Sequence, residues 1–370
     1  MTELMILGTR KGLLLFEQHG GEWRFCREEF KAQPVSYATL DSRTGTLWAA
    51  LDHGHWGTKL QRSDDVGATW REIPAPKFPD DAFINTGFPG EEQKQKPATL
   101  SYIWLIAPGG ADQPNRIYMG TEPGGLFQSD DGGETWQLNE GLWNRPERLS
   151  WWFGGGRDYP GLCSLSVDPR DSNHVFVGIS VGGVYESRDG GKTWEGRNKG
   201  LSVNYMPDPH PEYGHDPHFM QLSPSNPDVI WQQNHCGIFR TIDGAQSWKD
   251  ISQPGGPAYF GFPIALDEKD SETAWVVPAI DAEFRIAVDQ ALCVCRTEDG
   301  GQTWQELRTG LPQANAYDVV FRHALDIKGD RLAFGTTTGN LYISDDRGDS
   351  WRLLGGNFPP VYSVRFATAP

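Results

Sequence analysis

No stretch of this chain approaches the roughly 18 consecutive apolar residues of a membrane-crossing helix, so a helical membrane protein is set aside. Positive charge is scarce too: 33 Lys and Arg stand against 49 Asp and Glu, a formal charge of −16. Phosphate backbones are gripped by concentrated basic surface, so nucleic acid is not an expected partner. Cysteine is sparse and unpatterned. Cys26, Cys163, Cys236, Cys293 and Cys295 form an odd set without CxxC pairs. That pattern excludes a zinc ribbon or a disulfide-stapled small domain and leaves reduced core thiols. A basic-then-apolar leader is also missing, because Met1 to Gly8 enters a strand-like run at once. The expected location is cytoplasmic, with no membrane partner.

Glycine and tryptophan, by contrast, are abundant, at 44 and 15 in 370 residues, which suits many short strands joined by tight turns. An octet of the form Ser/Thr-x-Asp-x-Gly-x-Thr/Ser-Trp organises them. It occurs six times: SDDVGATW from Ser63, SDDGGETW from Ser129, SRDGGKTW from Ser187, TIDGAQSW from Thr241, TEDGGQTW from Thr297 and SDDRGDSW from Ser344. Only the fourth departs, with Ala245 in place of Gly. Residues Gly8 to Trp23 look like a seventh copy without its Asp. The Asp is expected to fold back onto backbone N–H groups two or three residues ahead, Gly to supply a positive-φ turn, and Trp to open the next strand with a broad apolar face. Each unit then reads as four strands, and a propeller blade takes about 40–45 residues. The run from Val361 to Ala367 has no blade of its own, whereas the first unit lacks an inner strand. The expectation is an all-β, seven-bladed propeller over residues 1–370 as a single domain, closed when the C-terminal strand completes the N-terminal blade.

Closure fixes where function can sit. With strands a to d running outward from the axis, the octets lie on c–d hairpins, sharing a face with the a–b loops. The insertions at 74–98, 137–160, 195–217 and 253–260 are d–a loops, and 279–291 is a b–c loop, so all fall on the opposite face. The richest stretch there, residues 205–218, carries His215 and His218, and His235 lies on the b–c loop of the same blade. Imidazoles converging on one mouth suit metal ligation or acid–base work. A divalent metal ion is thus the cofactor to look for at His215, His218 and His235, and a metal-free hydrogen-bonded cluster is the alternative. His53, His55 and Trp56 on another b–c loop, Tyr213, Asn234, and Arg148, Trp152 and Arg157 in the third d–a loop are candidate substrate-binding groups. Aromatic planes beside arginine suit a small-molecule or carbohydrate ligand. Trp151, Trp152 and Phe153 could equally form the loop's own small core. Glu122 is a candidate catalytic carboxylate, and Arg10 points to the same rim. His323 is expected within an inner strand near the channel, and His19 and His174 in solvated turns. Trp48, Trp104, Trp231 and Trp275 are expected in the core.

The octets resemble the Asp-box, or bacterial neuraminidase, repeat found in sialidases, xyloglucan-hydrolysing propellers, sortilin-type receptors and photosystem assembly factors. The runs DPHPEYGHDPH, WQQNHCGIFRT and GTEPGGLFQSDDGGETW are similar to a bacterial family of single propellers called sialidase-like glycosyl hydrolases. Sialidases use a Phe/Tyr-Arg-Ile-Pro motif near the N-terminus, three arginines, a Tyr–Glu pair and an acid Asp. Here the nearest string is Phe284-Arg285-Ile286-Ala287, late and without proline. Arg10, Arg148, Arg157 and Arg285 are available as an anion clamp but in no triad pattern. Three readings stay open. One is an enzyme on a small polar or carbohydrate-like substrate built on the histidines. Another is a non-catalytic binding propeller with a protein partner. The last is a glycoside hydrolase using carboxylates such as Glu122, Asp158, Asp208 and Glu212.

Overall fold

In the computed structural model, which describes residues 2–88, 94–155 and 157–369, the chain forms seven four-stranded antiparallel sheets. They make the blades of a seven-bladed β-propeller. In blades 2 to 7 the strands follow chain order from the axis outward. In blade 1 the innermost strand is Val361–Ala369, paired with Thr2–Thr9 from Thr2↔Ala369 to Gly8↔Ser363, so the ring closes as the sequence implied. The two inner strands of a blade are packed on both faces by neighbouring blades. They accordingly read as unbroken buried runs, as in Ile117–Glu122, rather than as alternation, while outer strands such as Glu22–Glu29 alternate towards solvent.

The octets staple the outer hairpins, with one change to the expected geometry. Asp65 Oδ1 accepts the amide of Thr69, four residues ahead, at 2.8 Å, and Oδ2 accepts the Thr69 hydroxyl at 2.6 Å. Ser63 Oγ donates to Asp65 and accepts the Gly67 amide. The Asp must span the turn as well as open it, so its partner lies beyond the glycine. The same bonds recur in the second octet at Asp131 and in the last at Asp346. Two octet tryptophans also pin their blades to the preceding ones: Trp248 Nε1 donates to Arg197 O and Trp304 Nε1 to Ile251 O.

These local bonds carry a pH signature. The Thr69 hydroxyl and amide hold Asp65 down at about 2, and Thr135 does the same for Asp131, also at about 2. Asp189 is lowered by Thr193; in Asp243, Asp299 and Asp346 burial pushes upward but the hydroxyl and amide donors outweigh it. A carboxylate depressed in the folded state contributes stability above its unfolded pKa that is lost as pH falls through the folded value. The octet carboxylates are therefore expected to make stability drop from about pH 4 towards 2, with a shallower slope for Asp131→Asn. Urea melts across this range check it, and equal stability at pH 5 and 2.5 would contradict it.

One histidine departs from its expected place. His174 is buried, with Nδ1 2.9 Å from Asp168 and Nε2 2.6 Å from Glu186, a network extended by Arg170 and Arg197. A turn-like sequence context hid two acidic partners brought in by adjacent strands. His19, beside Glu17, is exposed as expected.

Candidate functional site

Six innermost strands share an irregularity that aims the site. Register shifts leave one extra residue opposite the second strand: Ser36 in blade 2, Trp104 in blade 3, Cys163 in blade 4, His218 in blade 5, a residue of the Phe262–Pro263 pair in blade 6 and Tyr362 in blade 1. A β-bulge bends the strand and redirects a side chain. Here Ser36, Trp104, His218, Phe262 and Tyr362 line a cavity of about 720 Å³ on the face opposite the octets. The insertions supply the wall through Phe88, Phe153, Arg157, Tyr205, Phe260 and Arg285. Residues 89–93 and Gly156, parts of two expected insertions, lie outside the described residues.

The cavity floor is His323. Its Nε2 donates to Cys163 O at 2.8 Å, and the Tyr37 and Phe219 rings meet it edge-on at 5.1 and 5.0 Å. Burial, with Arg365 nearby, holds it well below the usual imidazole range, so it is a neutral plug. It lies outside the expected inner strand, which runs only from Leu325 to Lys328, because Phe321 and Arg322 turn into the cavity. Beneath it a second cavity opens among the far ends of the inner strands.

At one side of the cavity Asp216, His218 and His235 converge. Asp216 Oδ2 lies 3.4 Å from His218 Nε2 and 3.4 Å from His235 Nδ1, and the three ligand atoms fall within 4.8 Å of one another. The other oxygen, Oδ1, accepts Ser180 Oγ at 2.7 Å and the Val181 amide at 3.3 Å. His218 Nδ1 stands 2.6 Å from Gly261 O. A carbonyl can only accept, so Nδ1 carries the proton, and the Nε2 lone pair of a neutral His218 faces a carboxylate oxygen. In that neutral form two acceptors face each other. Burial pushes Asp216 upward, but His218, His235 and Arg322 outweigh it and hold the carboxyl well below its usual range. Burial lowers His218, against the pull of Asp216. With Nε2 protonated His218 forms an ion pair with Asp216, and with Nε2 free the same atom is open to a cation. His218 also stacks on Phe262 at 4.7 Å, which leaves its ring little freedom.

Other expected site residues fall elsewhere. His215 is fully buried, with Nε2 2.7 Å from Pro211 O, and it does not line the cavity; its chain neighbour Asp216 points the other way and takes its place. Arg148 is a strut, its guanidinium 3.9 Å from the Trp143 ring and donating to Phe83 O at 2.9 Å. Trp152 is core, bonded to Tyr185 OH, and Tyr213 stacks on that same tyrosine. Asn234 is buried, donating to Gln232 and accepting the Cys236 amide. His53, His55 and Trp56 form an exposed hairpin tip, and of that loop only Asp52 reaches the cavity. Glu122 is buried and paired with Arg157, which itself lines the cavity over Tyr102. Asp158, Asp208, Glu212 and Arg10 do not line the cavity. Trp48, Trp231 and Trp275 are core, whereas Trp104 is a cavity wall.

Reasoning from the sequence missed Asp216, Asp52 and Arg322. Alignment of the blades on their octets would have placed His218 in the same ring as Ser36 and Trp104, since the bulge recurs at one point of the repeat.

No family model matches the chain. Among curated proteins, the oligoxyloglucan-reducing end-specific xyloglucanase of Emericella nidulans is 31% identical over 326 residues, 80% of this chain and 36% of that protein. A xyloglucanase from Paenibacillus sp is 24% identical over 349 residues, 84% of this chain and 30% of that protein. The chain thus spans about a third of the length of these relatives. Among solved structures, an ancestral GH74 enzyme has a TM-score of 0.57 at 15% identity, covering 90% of this chain and 38% of that one. YCF48 from Cyanidioschyzon merolae has a TM-score of 0.52 at 15% identity, covering 91% and 87%. These structures share the propeller fold.

Proposed function

We propose that this chain is an enzyme acting on a small, carbohydrate-like substrate in the cavity opposite the octets, with a divalent transition metal held by Asp216, His218 and His235. The observation that carries this reading is the convergence of one ligand atom each from Asp216, His218 and His235 within 4.8 Å of one another, a spacing that fits a single cation. Two imidazoles and one carboxylate form a donor set suited to zinc, iron, manganese or nickel. Gly261 O behind His218, and Ser180 and Val181 behind Asp216, are the outer partners that orient metal ligands. The xyloglucanase relatives support the carbohydrate class.

When bound, the metal would supply Lewis-acid polarisation of a substrate oxygen. The protein's own groups do the rest. Trp104, Tyr102 and Tyr362 offer ring faces for a sugar. Asp52 lines the same cavity, and burial raises its pKa against the pull of Arg157, the direction that suits a carboxyl donating a proton to a leaving oxygen.

The purified protein is expected to hold about one transition metal per chain. Asp216→Asn, His218→Ala and His235→Ala should each lower its affinity beyond the roughly 100-fold typical of an outer partner, while His215→Ala keeps it. Elemental analysis and cobalt(II) titration read this directly. A protein that binds none of zinc, cobalt, manganese or nickel sinks the proposal. A second reading rests on Asp52 and Asp216 leaning to opposite protonation states across one cavity, as the acid and base of a glycosidase do. Glycosidase activity that survives chelation yet disappears in Asp52→Asn would favour it.

A further inference from the structure

Among the described residues, two cavity arginines have no acidic partner within ion-pair distance. Arg322 has no carboxylate oxygen within 4.0 Å among the described residues, and its one hydrogen bond is from Nη2 to Ser180 Oγ at 3.3 Å. Its Nε is buried without a partner. The guanidinium is clamped instead between rings, 5.0 Å from the centre of Trp104 and 5.5 Å from that of Phe262. Arg285 also lies 5.5 Å from the centre of Phe262, donates Nε to Ala282 O at 2.9 Å, and has no carboxylate within 4.0 Å among the described residues. Many other arginines of the chain are ion-paired, as Arg43 with Asp41, Arg170 with Asp168 and Asp228, and Arg347 with Asp267. In a chain with a 16-charge excess of acid, two arginines left unpaired over one aromatic ring constitute a built positive site. Asp216 attracts both electrostatically but makes no direct ion pair with either, its oxygens being engaged by Ser180, Val181, His218 and His235.

We propose that the substrate is anionic, a carboxylate-bearing sugar such as a uronate, with its carboxylate seated on Arg322 and Arg285 and its ring against Trp104. This deepens the function proposed above and rests on the same cavity. A planar carboxylate matches the guanidinium fork, and the ring stacking holds Arg322 with its fork already oriented. The wall offers the apolar faces of Tyr102, Phe88 and Phe153, which suit a pyranose ring more than a bare inorganic anion.

Calorimetric titration of the purified full chain with digalacturonate, with its neutral counterpart digalactose, and with glucose 6-phosphate tests this. Digalacturonate is expected to bind about tenfold or more tighter than digalactose, the worth of a charge-assisted contact. Arg285→Gln and Arg322→Gln should each remove that preference without changing metal content, and Arg322→Lys should retain part of it. Arg285 is exposed, so its variant stays informative even if Arg322→Gln folds poorly. No binding of digalacturonate, equal binding of the two disaccharides, or tighter binding of the sugar phosphate would overturn the proposal. Metal content measured on the same samples separates the two readings. Uronate preference without metal retains the clamp and removes the metal centre, whereas metal without preference does the reverse.

Discussion

A chain ending at Pro360 is expected to lose cooperative unfolding altogether. The deleted strand pairs with Thr2–Thr9 along eight registered positions and buries Val361 and Val364 completely. Its loss turns Met5, Ile6 and Leu7, all fully buried, into the lining of an open seam. At about 1 kcal/mol per ladder hydrogen bond, plus about 1.5–3 kcal/mol per buried aliphatic side chain, the cost is on the order of 10 kcal/mol. That is comparable with the whole stability of a typical domain, about 5–15 kcal/mol. The deletion also removes the Arg365 bond to His323 O, and with it one support of the cavity floor. Denaturant melts and binding of a hydrophobic dye check this. A circular permutant is the control. Thr2 and Ala369 are paired neighbours, so they can be linked while the chain is opened at Gly255, which lies in an exposed turn with open space around it. That permutant should unfold like the parent. A truncated chain melting at the parent midpoint would show that the seam does not hold the ring.

Closure was legible because repeats state their own period, and a missing inner strand at one end with a surplus strand at the other has one solution. The face of the cavity was legible for the same reason, since insertions at like points of the blades must gather on one side. The converging trio of Asp216, His218 and His235 was only half legible. His218 and His235 stood out as histidines, yet whether His215 or Asp216 completes the set depends on which of two adjacent residues faces the cavity, and the bulge at His218 decides that. Arg322 was invisible because the irregular segment before Leu325 reads as strand. Trp104 read as core because its place on a bulge, not its residue type, turns it into the cavity.

The same dependence on blade position explains the one octet that departs from its glycine. Gly133 sits at φ +90°, and a Cβ there would meet the Trp48 ring of blade 2 at 2.3 Å. Left-handed backbone costs a non-glycine residue about 1–2 kcal/mol, and overpacking a core costs about 1–3 kcal/mol. Gly133→Ala is therefore expected to destabilise by about 2–5 kcal/mol. Gly132→Ala, also left-handed at φ +72° but with nothing nearer than Arg62 Nη1 at 3.7 Å, should show only the backbone part, about 1–2 kcal/mol. Ala245 occupies the place of Gly133 in its own octet, at φ +63° and fully buried. It shares a core cluster with Phe176, which precedes its octet in blade 4 as Trp48 does in blade 2: Phe176 pairs with Glu186 and Trp48 with Arg62, each just before an octet. The smaller ring leaves space for the methyl. Trp48→Phe should thus cost stability alone, by opening a void, yet recover part of the loss when combined with Gly133→Ala. Denaturant melts of the two single variants and the double variant measure that coupling. Strict additivity would mean that the indole ring does not enforce glycine at this position.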